Sequence, residues 1–499
     1  MVRYSNPLFK ALRTVATLTA IVIGLGVALG LAWLGSNLFD ERLTPAARAL
    51  LAPRHDAVAL SDNIFVALVG LDAPSGQSMI QAGGARIRTS QGRDRITRDP
   101  AVGAKYNGAS QAGDLTFKGG MPSWLWRTSS IWQSAKKHRT EVVALIAANQ
   151  ELYQRYLGMH KLQGYFDSAS PGSYAPDFLL PSEVQKLFLA DAADRLQTGT
   201  PAQQQAALAD LRRDIRMWKA VLDGHGGLLS KVMAATMLHA DLLLLGDMVT
   251  DPDFHPMLLD DGLESVIAPF PLQDWKIGGT YGWEMRHSAA LLEAIARTKT
   301  PSGGTGAPPV EWWRRADSRI SARLFRLNAT ENLQADWMLQ LSALADGNPG
   351  SFLERREAYR KWQAHEFAPR LSWYNPIGRA LLAIAAGASY DDYPARVLDT
   401  AAFQRLVFLA YQIRRRGIGS KGVSAFMKQH PEWSTHPIDA RPFYWKSANG
   451  TLGLQPVGHE ERGMRFSLKL VDAAQQDPRL RRASANEGRK SPAIGRHPL

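Results

Sequence analysis

Residues 14–39 (TVATLTAIVIGLGVALGLAWLGSNLF) contain no charged side chain. An α-helix rises about 1.5 Å per residue, so roughly 20 apolar residues cross the hydrocarbon core of a bilayer, and this run predicts one transmembrane helix over 14–39. A cleaved signal peptide would carry an apolar stretch of about 7–15 residues before a small-x-small site. The run here is longer and continues through Trp33, Leu38 and Phe39, which favours an uncleaved signal-anchor. Arg3, Lys10 and Arg13 precede it, while Asp40 and Glu41 follow directly. That asymmetry predicts a cytoplasmic N-terminus, with Lys10 and Arg13 flanking the anchor on the inner side and Trp33 and Phe39 on the outer. Arg42, Arg48 and Arg54 on the far side act against it, and Gly26 with Gly30 forms a GxxxG pair of the kind that packs two such helices. The other long apolar stretch, 228–249, contains Lys231, His239, Asp241 and Asp247 and is expected to be a core helix.

Beyond the anchor, residues 40–130 show little period. TPAARALLA at 44–52 is helical in pattern, but AGGAR at 82–86 and NGASQAG at 107–113 are glycine-rich, so a loop-rich segment packing on the domain is expected. From 131 the apolar positions recur at helical spacing, with Val142, Val143, Ile146, Leu152 and Tyr156 near one face. Ser182 and Gln185 have the spacing of a capping box for VQKLFLADAADRL. The amphipathic run after Pro201 closes at Gly224 and leads into the apolar 228–248 stretch, predicting a hairpin of antiparallel helices. Further helices are expected at 281–297, 327–345, 351–366 and 376–416, the last interrupted near 390–394. KTPSGGTGAPP at 299–309 reads as a linker between helical regions at 131–298 and 310–470. Toward the end the period shifts to that of strands at 442–447, 451–457 and 464–470, with Asn449-Gly450 as a hairpin turn. The expected fold class is therefore mainly α: a multi-helix globular domain with a small C-terminal antiparallel β-sheet, preceded by one transmembrane helix. Residues 471–499 are polar, basic and unpatterned, and are expected to be a disordered tail.

Composition narrows the chemistry. The 499 residues include no cysteine, which excludes disulfides, thiol nucleophiles, Cys-ligated zinc, iron–sulfur clusters and a lipid on an N-terminal Cys. The net charge of +13 is divided between both ends and a thin excess over the rest, so it forms no block that would mark a nucleic-acid partner.

Candidate catalytic and metal residues are sparse. Ser134 and Lys137 make an S-x-x-K pair, but Ser61-Asp62-Asn63 precedes it and Lys299-Thr300 runs into Pro301, contrary to the acyl-transferase order. Glu284 and His287 give one E-x-x-H where a two-metal bundle site needs two. Asp251, Asp253 and His255 alternate as in a calcium loop, yet Pro256 and Gly262 occupy the positions of the required Gly and Glu, so these residues read as caps and turns. His239 and Asp241 lie in the most apolar helix, either as satisfied core groups or as a buried pair with a tuned pKa. Gly417, Gly419 and Gly422 follow a helix and lack nucleotide-loop spacing. The pairs Trp124/Trp126 and Trp312/Trp313 read as core or interface anchors, with sugar stacking as the functional option. No cofactor and no metal are expected.

FVALVGLDAPSG at 65–76, YNPIGR at 374–379 and HPIDARPFYW at 436–445 together resemble a set of proteobacterial single-pass inner-membrane proteins. The resemblance implies a folded domain that follows the anchor, and no residue roles; with the N-terminus inside, that domain is expected in the periplasm. The expected function is a membrane-anchored binding or scaffold protein of the cell envelope, with an envelope protein or glycan as partner. The alternative is an envelope hydrolase in which several of His239, Asp241, Glu284, His287, Ser134 and Lys137 converge.

Overall fold

The structure, a computed structural model, describes residues 7–54, 58–93, 114–126, 130–169, 176–254, 261–297, 324–368, 372–458 and 464–470. The linker at 299–309, Trp312, Trp313, His255 and the tail 471–499 lie outside them. The chain is mainly helical (68%) with a small antiparallel sheet near the C-terminus. In chain order the helices are α1 (Pro7–Ser36), α2 (Pro45–Leu51), α3 (Ile64–Val69), α4 (Met79–Arg93), α5 (Ser123–Trp126), α6 (Ile131–Lys137), α7 (Arg139–Ala148), α8 (Gln150–Met159), α9 (Leu179–Thr198) and α10 (Pro201–Asp223). There follow α11 (Leu228–Thr250), α12 (Asp261–Ile267), α13 (Thr280–Arg297), α14 (Leu327–Asp346), α15 (Phe352–Glu366), α16 (Pro376–Ala386), α17 (Asp392–Arg415), α18 (Val423–Gln429) and α19 (Pro431–Ser434). The strands are β1 (Tyr444–Lys446), β2 (Thr451–Gly453) and β3 (Ser467–Lys469).

Two compact units result, each assembled from separate stretches of chain. Unit 1 takes Met1–Pro53, Met285–Gln340 and Tyr359–Ser389, and unit 2 takes Arg54–Glu284, Leu341–Ala358 and Tyr390–Leu499.

The core of unit 2 is built on α11, which is mostly buried and packs against α10 and α17. Leu238, Leu242, Leu245 and Met248 are buried on α11, as are Phe403, Leu406, Val407 and Ala410 on α17. The predicted pair of helices around residues 224–227 forms. Thr200 and Gln203 cap α10 reciprocally at 3.4 and 2.8 Å, and Pro201 occupies the first helical position, where its missing N–H costs nothing. The sheet is a meander, β1-β2-β3, with Trp445 opposite Leu452 and Leu452 opposite Leu468. Gly450 turns it at a φ of 63°. Gly246 of α11 leaves the space into which Leu468 packs, since a Cβ there would lie 2.6 Å from the leucine.

Three local expectations are corrected. Ser182 and Gln185 are not a capping box, because α9 starts earlier, at Leu179, whose N–H donates to Asp177 at 2.9 Å. Pro181 falls in the first turn, where proline is tolerated, so the helix runs through it and Gln185 points into the core. The glycines at 82–86 are helical and lie within α4, not in a loop. A Cβ on Gly83 would collide with the carbonyl of Val66 and one on Gly70 with that of Met79, so these glycines let α3 and α4 cross backbone to backbone. Finally, the break in 376–416 falls over residues 387–391, and Pro394 sits inside the first turn of α17.

Candidate functional site

Among the described residues two helices are long and apolar enough to cross a membrane, and burial separates them. Two-thirds of the apolar window in α11 is buried in unit 2, whereas the window in α1 over Arg13–Ser36 is not buried at all. Val22 is 67% exposed, with Ile21, Ile23, Leu25 and Leu31 similar. Arg13 is exposed at the near edge, and the side chain of Lys10 lies outside the described residues. At the far edge Trp33 is half-buried and Phe39 exposed.

The exit of α1 is locked to the rest of unit 1. Asn37, fully buried one residue beyond the helix, donates from Nδ2 to the carbonyls of Trp33 and Trp373, both at 2.9 Å, and accepts the Asn375 N–H at 2.8 Å. Asn375 sits at a φ of 50°, a left-handed conformation that asparagine tolerates better than most residues. Its side chain accepts the Arg326 N–H at 2.9 Å and donates to Thr330 Oγ1 at 2.9 Å. Asp40 accepts the N–H groups of Asn328 and Ala329 at 2.9 and 3.1 Å, so its charge lies where the first turn of α14 has donors without helical partners. Asn332 accepts the Thr44 N–H at 2.8 Å and donates to Glu41 Oε2 and the Arg42 carbonyl, each at 3.0 Å. Residues 37–44 are thus a joint tied to α14 and to the segment entering α16 through Asn37, Asp40, Glu41 and Thr44. Buried beside it, Glu331 is pushed up to about 7 by burial first and then by the charges of Glu293 and Asp40.

The residues singled out for chemistry are engaged elsewhere. Ser134 and Lys137 lie on α6, the first half-buried and the second exposed. Glu284 accepts the Leu228 N–H at 2.6 Å and so caps α11, with burial raising its carboxyl, and His287 stands one turn further along the same helix, half-buried. Asp251 closes α11, accepting from Trp132 Nε1 and, at 3.3 Å, from Gln133 Nε2, while its carbonyl accepts from Arg414. Asp253 lies exposed and pairs with Lys136 at 3.9 Å. His239 stacks on Phe403 with ring centroids 4.4 Å apart and meets Phe466 at 4.8 Å. Asn63 of the Ser-Asp-Asn stretch caps α3 and joins Phe166. Gly417 ends α17 in a left-handed conformation. Trp124 stacks on His138 at 4.4 Å and donates to Glu141 at 2.7 Å. Among the described residues no group of three His, Cys, Asp or Glu side chains is placed to hold a metal ion.

Comparison with protein-family models, with curated proteins and with solved structures finds no match. The reading of the site therefore rests on geometry alone.

That geometry includes a buried polar cluster in unit 2 that spans positions far apart in sequence. Asp214 of α10 has no exposed surface, and it accepts from Tyr156 Oη at 2.6 Å, Gln185 Nε2 at 3.0 Å and His160 Nε2 at 2.8 Å. Trp218 Nε1 donates to Tyr156 Oη at 3.0 Å. Gln185 also reaches the Met237 carbonyl at 3.2 Å and Asp241 Oδ1 at 3.4 Å. Burial, then the neighbouring Asp214 carboxylate, raises the Asp241 carboxyl far above the usual range. The cluster ties α8, α9, α10 and α11 together and keeps a proton on one carboxyl of a close pair. A second buried pair, His436 Nε2 and Asp399 Oδ1 at 3.0 Å, pins the C-terminal segment to α17, because Asp399 also accepts the N–H groups of Val457 and Gly458 at 2.8 and 2.7 Å. On the surface of unit 2, Arg212, Arg216 and Lys219 line a groove of about 240 Å³ with Ser265 and Phe270.

Proposed function

We propose that the chain is a membrane-tethered binding or scaffold protein, held by α1 in a bacterial inner membrane with its N-terminus in the cytoplasm and both folded units on the outer side. The observation that carries this reading is a helix of membrane-spanning length with no buried residue in its apolar window, joined at its exit to a folded unit by the Asn37–Asn375 and Asp40–α14 contacts. An apolar surface of that extent is stable in lipid and a liability in water. Arg3, Lys10 and Arg13, which precede the uncharged run of α1, support the orientation. Support for binding over hydrolysis comes from the way Glu284, Asp251 and Asp214 are spent on helix ends and helix packing.

Alkaline phosphatase fused after Leu499 tests the topology, and affinity capture from solubilised membranes tests the partner. The fusion is expected to be active and a defined envelope protein or glycan to co-purify. A reporter that works only in the cytoplasm, or a mature form lacking the first forty residues, overturns the reading.

A further inference from the structure

We propose that α16, together with Trp373, lies in the interfacial zone of the bilayer and gives unit 1 a second, in-plane contact with lipid. The inference rests on α1 being the membrane span proposed above. Helix α16 (PIGRALLAIAA) buries Gly378, Leu382 and Ala386, which recur every four residues and define its inward face. The outward face of a helix on a water-soluble unit should be polar. Here it presents Ala380, Ile384 and Ala385, with Ile384 78% exposed, while Ile377 and Leu381 are only partly covered. Arg379, the only charged residue of α16, is held at the flank by Glu366 at 3.0 Å. With 11 residues the helix is about 16 Å long, too short to cross the hydrocarbon core, and apolar enough to lie along its surface.

Lipid is the occupant because the patch continues the surface of α1. The chain enters α16 through Trp373 and Asn375, whose backbone groups both bond to Asn37 immediately after α1. Trp373 is 50% exposed and Phe39 79% exposed at that junction, and Tyr374 Oη donates to the Phe39 carbonyl at 3.2 Å. Tryptophan and tyrosine at the end of a membrane helix are the side chains that the headgroup region favours. The joint therefore fixes the start of α16 at the depth where α1 leaves the bilayer.

The absence of cysteine allows a direct test. Single cysteines replacing Ile384, Trp373, Val22 and Lys137, each in the full chain, are labelled with a fluorophore and reconstituted in phosphatidylcholine–phosphatidylglycerol vesicles. Nitroxides are placed near the headgroup, at the chain end or in the water. Labels at 384 and 373 are expected to be quenched several-fold more by the headgroup-proximal nitroxide than by the soluble one, and the label at 22 most by the chain-end nitroxide. If the label at 384 is reached by the soluble quencher as freely as that at 137 while the label at 22 is quenched from the lipid, the α16 contact is wrong and the span stands. If the label at 22 is also reached only from water, both fall. Ile384 and Trp373 are exposed, so their replacement leaves the core intact, and Ile384→Glu should release the label at 373 into water with the circular dichroism unchanged.

Discussion

Asp214 and Asp241 are neighbouring buried carboxyls with opposite duties. Asp214 accepts hydrogen bonds from three other side chains, whereas Asp241 is met by Gln185 at 3.4 Å and by Asp214 itself, and burial and then Asp214 push its carboxyl well above the usual range, which favours the protonated form. Asp214→Ala strands the three donors Tyr156, His160 and Gln185 and should cost about 3–5 kcal/mol, the range for breaking a buried charged network. Asp241→Asn keeps the shape without the proton. A carboxyl whose pKa is raised on folding stabilises the fold below its unfolded value, and that contribution is lost as pH rises toward the folded value. The melting temperature of Asp241→Asn should therefore rise relative to the native chain as pH increases above the ordinary carboxylate range, read by circular dichroism. A constant difference between the two would contradict a protonated Asp241. The same sign holds for Glu331 beside the joint, pushed up to about 7, so Glu331→Gln should gain most between about pH 4.5 and 7. At this scale the sequence was partly legible. Asp241 stood out as a polar residue in an apolar run, but Tyr156, His160 and Gln185 lie 29 to 58 positions from Asp214, and no local pattern links them.

Helices were legible wherever a period of 3.6 met a cap, as at Pro201 and around Asn449-Gly450 for the sheet, because those signals are local. They misled where glycine served packing. The glycines of α4 look like a loop in one dimension, and only the approach of α3 explains them. Paired substitutions follow from that contact. Gly83→Ala forces a Cβ into the Val66 carbonyl and should destabilise unit 2 by about 1–3 kcal/mol or more, as overpacking does. Gly84→Ala meets only the movable end of Arg88 at 3.3 Å and should be neutral or stabilising by up to ~1 kcal/mol from helix propensity. Chemical denaturation of the two variants side by side checks this, and equal effects would exclude the crossing. At the joint, Asn37→Ala leaves the buried Asn375 N–H without its acceptor and should cost about 1–3 kcal/mol. The loss should be visible as faster amide exchange around Asn375. The joint itself could not be read from sequence, since Asn37, Arg326 and Asn375 are ordinary polar residues until the fold brings them together.

Across the whole molecule, the mainly helical class and the small closing sheet follow from hydrophobic period alone, while the membership of the two units does not, because each is drawn from three separated stretches of chain. If α1 crosses the bilayer as proposed, α6 of unit 2 lies on the outer side. Because the chain has no cysteine of its own, a single Lys137→Cys on the exposed side of α6 and a single Lys10→Cys in the first turn of α1 can be probed with a membrane-impermeant maleimide in spheroplasts. Position 137 is expected to be labelled in intact spheroplasts and position 10 only after lysis, both on full-length chain. Labelling of position 137 only after lysis would contradict this topology.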